Sequence, residues 1–121
     1  MKKYIMLLAF LSFACSNDDD NKLEPCTTNV VQGLEILVTN LQNLPITTGV
    51  TVTATDGDYT EQLQITPIEN VYTGAFEREG TYVVTVSGSG YQTYTSEPIK
   101  VEADRCHVVT QKSTVQLLPV E

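Results

Sequence analysis

The sequence predicts an all-β fold, an antiparallel Greek-key sandwich of about seven short strands. Three observations support it: apolar residues recur at every second position in short segments, turn residues separate those segments, and the segments fill one domain's length of chain.

Lys2 and Lys3 precede the apolar run 4–11, the charged and hydrophobic parts of a secretory signal. The run is too short to span a bilayer, which takes about 20 apolar residues. No later stretch is long and apolar enough to span one, because Thr, Gln, Asp and Glu interrupt each. Residues 1–14 are therefore expected to be a signal peptide. Ser12-Phe13-Ala14 satisfies the small-x-small rule for ordinary cleavage, which would release a soluble chain. Ala14-Cys15 also looks like the end of a lipobox, with Ser12 where Leu is usual. The following Cys15-Ser16-Asn17-Asp18-Asp19-Asp20-Asn21 resembles the acidic start of Bacteroidota-type surface lipoproteins. That resemblance implies lipid on Cys15, an acidic linker over 15–25, and a domain over 26–121 held at the outer membrane and exposed on the surface. The Asp run is also a solvated, self-repelling linker, a reading compatible with export.

With Cys15 assigned to lipid, Cys26 and Cys106 remain as an even pair in an oxidising compartment. A disulfide between them would staple the start of the domain to its last strand.

Leu34, Ile36 and Val38 open the period-two pattern, although Val30, Val31, Leu34, Leu37 and Val38 also fit a helical spacing. The β-branched Thr27, Thr28, Val30 and Val31 favour the strand. Val50, Val52 and Ala54 form the next face, then Leu63 with Ile65, Tyr82 with Val84 and Val86, Ile99 with Val101, and Val115 with Leu117. Asp56-Gly57 lies between two alternating runs and predicts a hairpin of type I′. Gly80 opens the Tyr82 strand and Gly88-Ser89-Gly90 closes it. Pro98 interrupts the stretch 91–101, which predicts an edge strand or a bulge there.

From Cys15 onward five basic and fifteen acidic residues remain, a net charge of −10. Phosphate contacts need clustered Lys and Arg, so nucleic acid is an unsuitable partner. Lying flat on an anionic membrane is equally disfavoured.

The residues Leu34-Glu35-Ile36-Leu37-Val38-Thr39, Leu44-Pro45-Ile46 before Val50-Thr51-Val52, Gly80-Thr81-Tyr82-Val83-Val84-Thr85-Val86, Gly90-Tyr91 and Cys106-His107-Val108-Val109-Thr110 together resemble the carboxypeptidase regulatory-like domain. The resemblance implies a transthyretin-like or prealbumin-like sandwich, similar to immunoglobulin-like folds. Such domains are accessory modules with no catalytic residues to carry over. Fold likeness alone does not assign a function.

The chemistry-bearing residues are few. His107 is the only histidine, and no Gly-x-Ser-x-Gly elbow accompanies it, so nucleophilic hydrolysis lacks its usual signature. A metal site from Cys26, Cys106 and His107 competes with the disulfide; neighbours on a regular strand point to opposite faces, which favours the disulfide. Asp56 with Asp58, and Glu77 with Glu79, could contribute to calcium binding or glycoside hydrolysis, but both pairs fall at turns, where solvated acids are ordinary. Tyr82 is in phase with the core, and Tyr91 suits a corner position bonded to backbone. Tyr59, Tyr72 and Tyr94 are left as candidate ligand contacts. The expectation is a non-catalytic, cofactor-free surface module, tethered to the membrane and serving an envelope protein or glycan. Alternatives are a carbohydrate- or calcium-binding module and an inhibitor-like module presenting the loop 41–48.

Overall fold

The computed structural model describes residues 25–121. The predicted signal peptide, Cys15 and the linker up to residue 24 lie outside the described residues.

Nine strands form two sheets. They are β1 (Leu34–Thr39), β2 (Val50–Asp56), β3 (Tyr59–Gln62), β4 (Gln64–Thr66), β5 (Val71–Gly74), β6 (Gly80–Gly88), β7 (Tyr94–Thr95), β8 (Ile99–Val101) and β9 (Gln111–Gln116). One sheet has the order β4-β5-β1-β9, and the other β3-β2-β6-β7 with β8 also on β6. The chain changes sheet after β1, β3, β5 and β8, so every strand can turn one face to a common core. All pairings are antiparallel except β1 with β9, where Leu34 lies beside Gln111 and Val38 beside Val115. The last strand thus returns to the first in the same direction, which an alternating pattern does not specify.

Alternation decides what is buried. Leu34, Ile36 and Val38 of β1, with Val115 and Leu117 beside them in the same sheet, meet Val52 and Ala54 of β2, Tyr82, Val84 and Val86 of β6, and Val101 of β8 across the core. Burying each such Val, Leu or Ile is worth about 1.5 to 3 kcal/mol. Val50, Ile65 and Ile99 pack at its margin. Of the ambiguous stretch 30–38, Leu34 onward is a strand, because its apolar side chains face the opposite sheet at period two; Thr27, Thr28, Val30 and Val31, whose branching favours a strand, precede it outside the sheet.

β5 does not alternate: all four of its residues are buried, since it lies between β4 and β1. The β2–β3 hairpin forms where Asp56-Gly57 predicts it, but Asp56 pairs with Tyr59, so Gly57 and Asp58 are the central residues. Gly57 has φ +60° and Asp58 is not among the positive-φ residues, the pattern of a type II′ turn and not the expected I′. Around Pro98, β6 residues 83 and 84 face 96–98, one residue more, so the edge carries the expected bulge. There Ser96 Oγ accepts from Val84 N at 2.8 Å and Ser96 N donates to Val84 O at 2.8 Å.

Gly33 marks a close approach between segments. A Cβ there would lie 2.8 Å from Ala75 O and 2.9 Å from a Val101 methyl. Only hydrogen fits where the chain before β1 crosses the β5–β6 connection.

Candidate functional site

The richest cluster of polar side chains lies at the end where the chain enters the domain. Cys26 and Cys106 are disulfide-bonded, as expected, and a metal site through those sulfurs is thereby excluded. Asp104 shapes the loop that offers Cys106: its Oδ1 accepts from Cys106 N at 2.8 Å and His107 N at 3.0 Å. Those two amides, His107's foremost, hold the Asp104 carboxyl below its usual range. His107 sits in this loop and not on a regular strand.

The β5–β6 connection supplies the partner. Ala75 and Glu77 have φ of +56° and +52°, conformations costing about 1 to 2 kcal/mol each outside glycine. Such residues persist where surrounding contacts over-determine them. Here Ala75 is fully buried, and Glu77 N donates to Val31 O at 2.9 Å. The turn aims the Glu77 carboxylate at three donors: Val31 N at 3.0 Å, Val108 N at 3.2 Å and His107 Nδ1 at 2.5 Å. Partial burial pushes this carboxyl upward; the hydrogen bonds from His107, Val31 and Val108 outweigh it and hold it below its ordinary value.

Thr27 Oγ1 lies 2.9 Å from His107 Nε2, so a hydroxyl, an imidazole and a carboxylate stand in line. This is the order a nucleophile, base and orienting acid would take. Acyl transfer also needs free N–H groups aimed at the developing oxyanion. The amides of Val31 and Val108 already point at Glu77, and those of Cys106 and His107 at Asp104. A carbonyl oxygen gaining charge here would meet two carboxylates. The line instead works as a clamp, joining the strap 25–33 to the β5–β6 and β8–β9 connections. The Thr27 hydroxyl can donate to neutral imidazole or accept from charged imidazolium.

The acid pairs separate. Asp56 accepts from Arg78 Nη1 at 3.0 Å, and Glu77 turns to His107 while Glu79 does not share its partners. Among the described residues no group of three His, Cys, Asp or Glu side chains could hold a metal ion.

The tyrosines divide in the same way. Tyr72 is 5% exposed and its hydroxyl donates to Ile46 O at 3.0 Å; β5 is central, so this ring is core and not the ligand contact expected of it. Tyr59 has Arg78 over its ring at 3.7 Å and donates to Glu61 at 2.8 Å. That hydrogen bond, then burial, raises its hydroxyl pKa. Tyr94 packs at the core margin and also lines a hollow of about 90 Å³ with Gln92, Thr93, Gln116, Leu117 and Leu118. The hydroxyl that returns to upstream backbone belongs to Tyr82, which donates to Arg78 O at 2.8 Å, and not to Tyr91.

The far end has a different character. Segments 36–55, 80–96 and 113–120 contain no Asp, Glu, Lys or Arg, and their loops meet there. Asn40 Oδ1 accepts from Gln42 N at 2.8 Å and Leu44 N at 3.0 Å, and Gln116 Nε2 donates to Asn40 O at 3.3 Å. The loop is ordered, yet Leu41 and Leu44 remain exposed, with Ile68, Leu118 and Val120 at the same end. A hollow of about 240 Å³ lies among Asn40, Leu41, Gln42, Tyr91, Leu117 and Pro119. The loop 41–48 of the inhibitor-like reading lies here, with Leu41 and Leu44 exposed, but nothing in the sequence joins it to the rest of this end, whose signal is an absence of charge spread over three distant segments.

No protein-family profile matches the chain, and no curated protein is similar to it at a significant level.

Proposed function

We propose that the chain is a non-catalytic surface lipoprotein, anchored to the outer membrane through Cys15, whose carboxypeptidase regulatory-like sandwich binds or supports another envelope component. One observation carries the binding reading: the two ends of the domain are chemically opposite. The end that receives the tether gathers Asp56, Asp58, Glu77, Arg78, Glu79, Glu102, Asp104 and Arg105. The far end offers Leu41, Leu44, Leu118 and Val120 on ordered, uncharged loops. An apolar patch maintained at one end of an acidic domain marks an interaction surface. The occupied amides around His107 support the non-catalytic reading.

Intact mass of the protein from its native membrane tests the anchor; the reading requires an acylated N-terminal Cys15. Photo-crosslinking in intact cells tests the rest. A probe at Leu44 or Leu118 should join one envelope component, and a probe at Asp58 or Glu102 should not. Equal crosslinking from both ends, or ester hydrolysis abolished by Thr27→Ala, would remove the proposal.

A further inference from the structure

Sheets protect their free edges by shortness, bulges, proline or charge. Three edges of this sandwich fit that rule: β3 has four residues, β4 has three, and β7 and β8 are split by Pro98 and a bulge. β9 differs. It has six residues, regular pairing with β1 throughout, and no proline.

The direction of its backbone groups follows from its bonds. Gln111 N donates to Gly33 O and Leu117 N to Thr39 O, both at 2.8 Å, so odd-numbered residues face β1 and even-numbered ones face outward. Each end of β9 runs into backbone bonds with another segment. Val109 N donates to Glu102 O at 2.8 Å, Gln92 N to Leu118 O at 2.8 Å, and Val120 N to Gly90 O at 3.0 Å. Between these bonds the outward backbone groups of Lys112, Thr114 and Gln116 have no partner among the described residues. The gap is the length of about five extended residues.

Two hollows adjoin this open edge. One, of about 260 Å³, is lined by Glu35, Leu37, Val71, Lys112, Ser113 and Thr114. The other is the 90 Å³ hollow beside Tyr94 and Leu118. Strand addition draws affinity from main-chain hydrogen bonds and specificity from pockets that take alternate side chains.

We infer that the open edge of β9 is a docking slot for a short extended segment of a partner protein, which adds as a fifth strand beside β9. Its side chains alternate between a small apolar group in the Tyr94–Leu118 hollow and a polar group beside Lys112 and Glu35. A second copy of this chain is a poor occupant. Antiparallel pairing of two β9 strands centred on Thr114 would set Leu118 of one copy against Thr110 of the other, where the 90–92 segment already lies. The inference rests on the binding reading above and locates its site. The competing view of this edge is that Lys112 alone guards it.

The test pans a random heptapeptide phage library on the purified mature protein and maps the selected peptides by NMR. Selected peptides should protect the amides of Lys112, Thr114 and Gln116 from exchange. Thr114→Pro removes an outward N–H without touching the bonds to β1, and should weaken binding about tenfold, the worth of roughly one hydrogen bond, while Thr114→Ser leaves it unchanged. Should Thr114→Pro not fold, peptides N-methylated at alternate amides must lose binding in its place. No enriched peptide, protection elsewhere, or undiminished binding after either change overturns the slot. Protection that appears without peptide and grows with protein concentration would assign the edge to a second copy and overturn it equally. If the slot fails while Leu44 still crosslinks to one component, the binding reading stands without it.

Discussion

Replacing Cys26 and Cys106 with Ser removes a cross-link between residues 80 apart. The chain-entropy relation for a loop of that size gives about 4.5 kcal/mol at 25 °C, all of it acting on the unfolded chain. The folded state supplies little to offset the loss. Residues 25–30 are exposed, and beside the disulfide they meet the loop through the Arg105 contact with Cys26 and the Thr27–His107 hydrogen bond. Against a total stability of about 5 to 15 kcal/mol, the staple is a large share. Urea unfolding of the protein with Cys15 also replaced provides the assay. With a slope of about 1 to 1.5 kcal/mol/M, the midpoint should fall by about 3 to 4.5 M, and the slope itself should rise as the unfolded ensemble expands. Refolding should slow while unfolding changes little, since the cross-link acts before the transition state. A loss under about 1 kcal/mol, or one carried by faster unfolding, would refute the reasoning and mean that the staple holds the native contacts themselves.

Three further outcomes follow from particular contacts. Glu77 and Asp104 have carboxyls held below their ordinary values of 4.5 and 3.8, so folding favours their charged forms. Their contribution is complete above those values and is lost as pH falls through the lowered folded-state ones; Glu77→Gln should flatten the acid limb of a stability-versus-pH curve, and an unchanged limb would contradict it. Gly33→Ala should cost about 1 to 3 kcal/mol by chemical unfolding, because Ala75 O and the Val101 methyl leave no room for a Cβ; a neutral result would mean the crossing relaxes freely. Tyr82→Phe should cost about 1 to 3 kcal/mol, since the fully buried ring loses a hydroxyl that donates to Arg78 O and accepts from its guanidinium, and thermal or urea unfolding would detect it.

The sequence reveals strands that have one buried face and hides those that do not. Leu34, Val52, Val84 and Val115 are legible because each alternates with a more exposed neighbour, and the opposite sheet buries the predicted side. β5 is illegible: Val71, Tyr72, Thr73 and Gly74 are all buried, so there is no period to read, and Tyr72 passes for a surface aromatic. Turns were partly legible, with Gly57 placed in the hairpin but the turn type dependent on which pair occupies the centre. The parallel β1–β9 pairing leaves no local trace, because register between strands 77 positions apart comes from packing. His107 and Glu77 were each singled out, yet nothing local joins them; their meeting depends on positive φ at Ala75 and Glu77, which neither residue type announces.

The arrangement of ties also bears on how a tethered domain carries load. Under the proposed anchorage, a pull on the linker reaches the fold at Cys26 and passes through the disulfide to the loop at Cys106, outside both sheets. It does not reach β1 through the strap alone, because Glu77 holds Val31, Val108 and His107 together just before Gly33. β1 itself is flanked on both sides, antiparallel by β5 and parallel by β9. Pulling it out lengthwise would shear both ladders at once instead of opening one bond at a time. The strain at Ala75 and Glu77 is therefore spent where the chain enters the domain, and there it fixes three segments to one carboxylate. On that proposal the apolar loops around Leu41, Leu44 and Leu118 and the open edge of β9 lie beyond the junction, where a partner would be held while the tether is under tension.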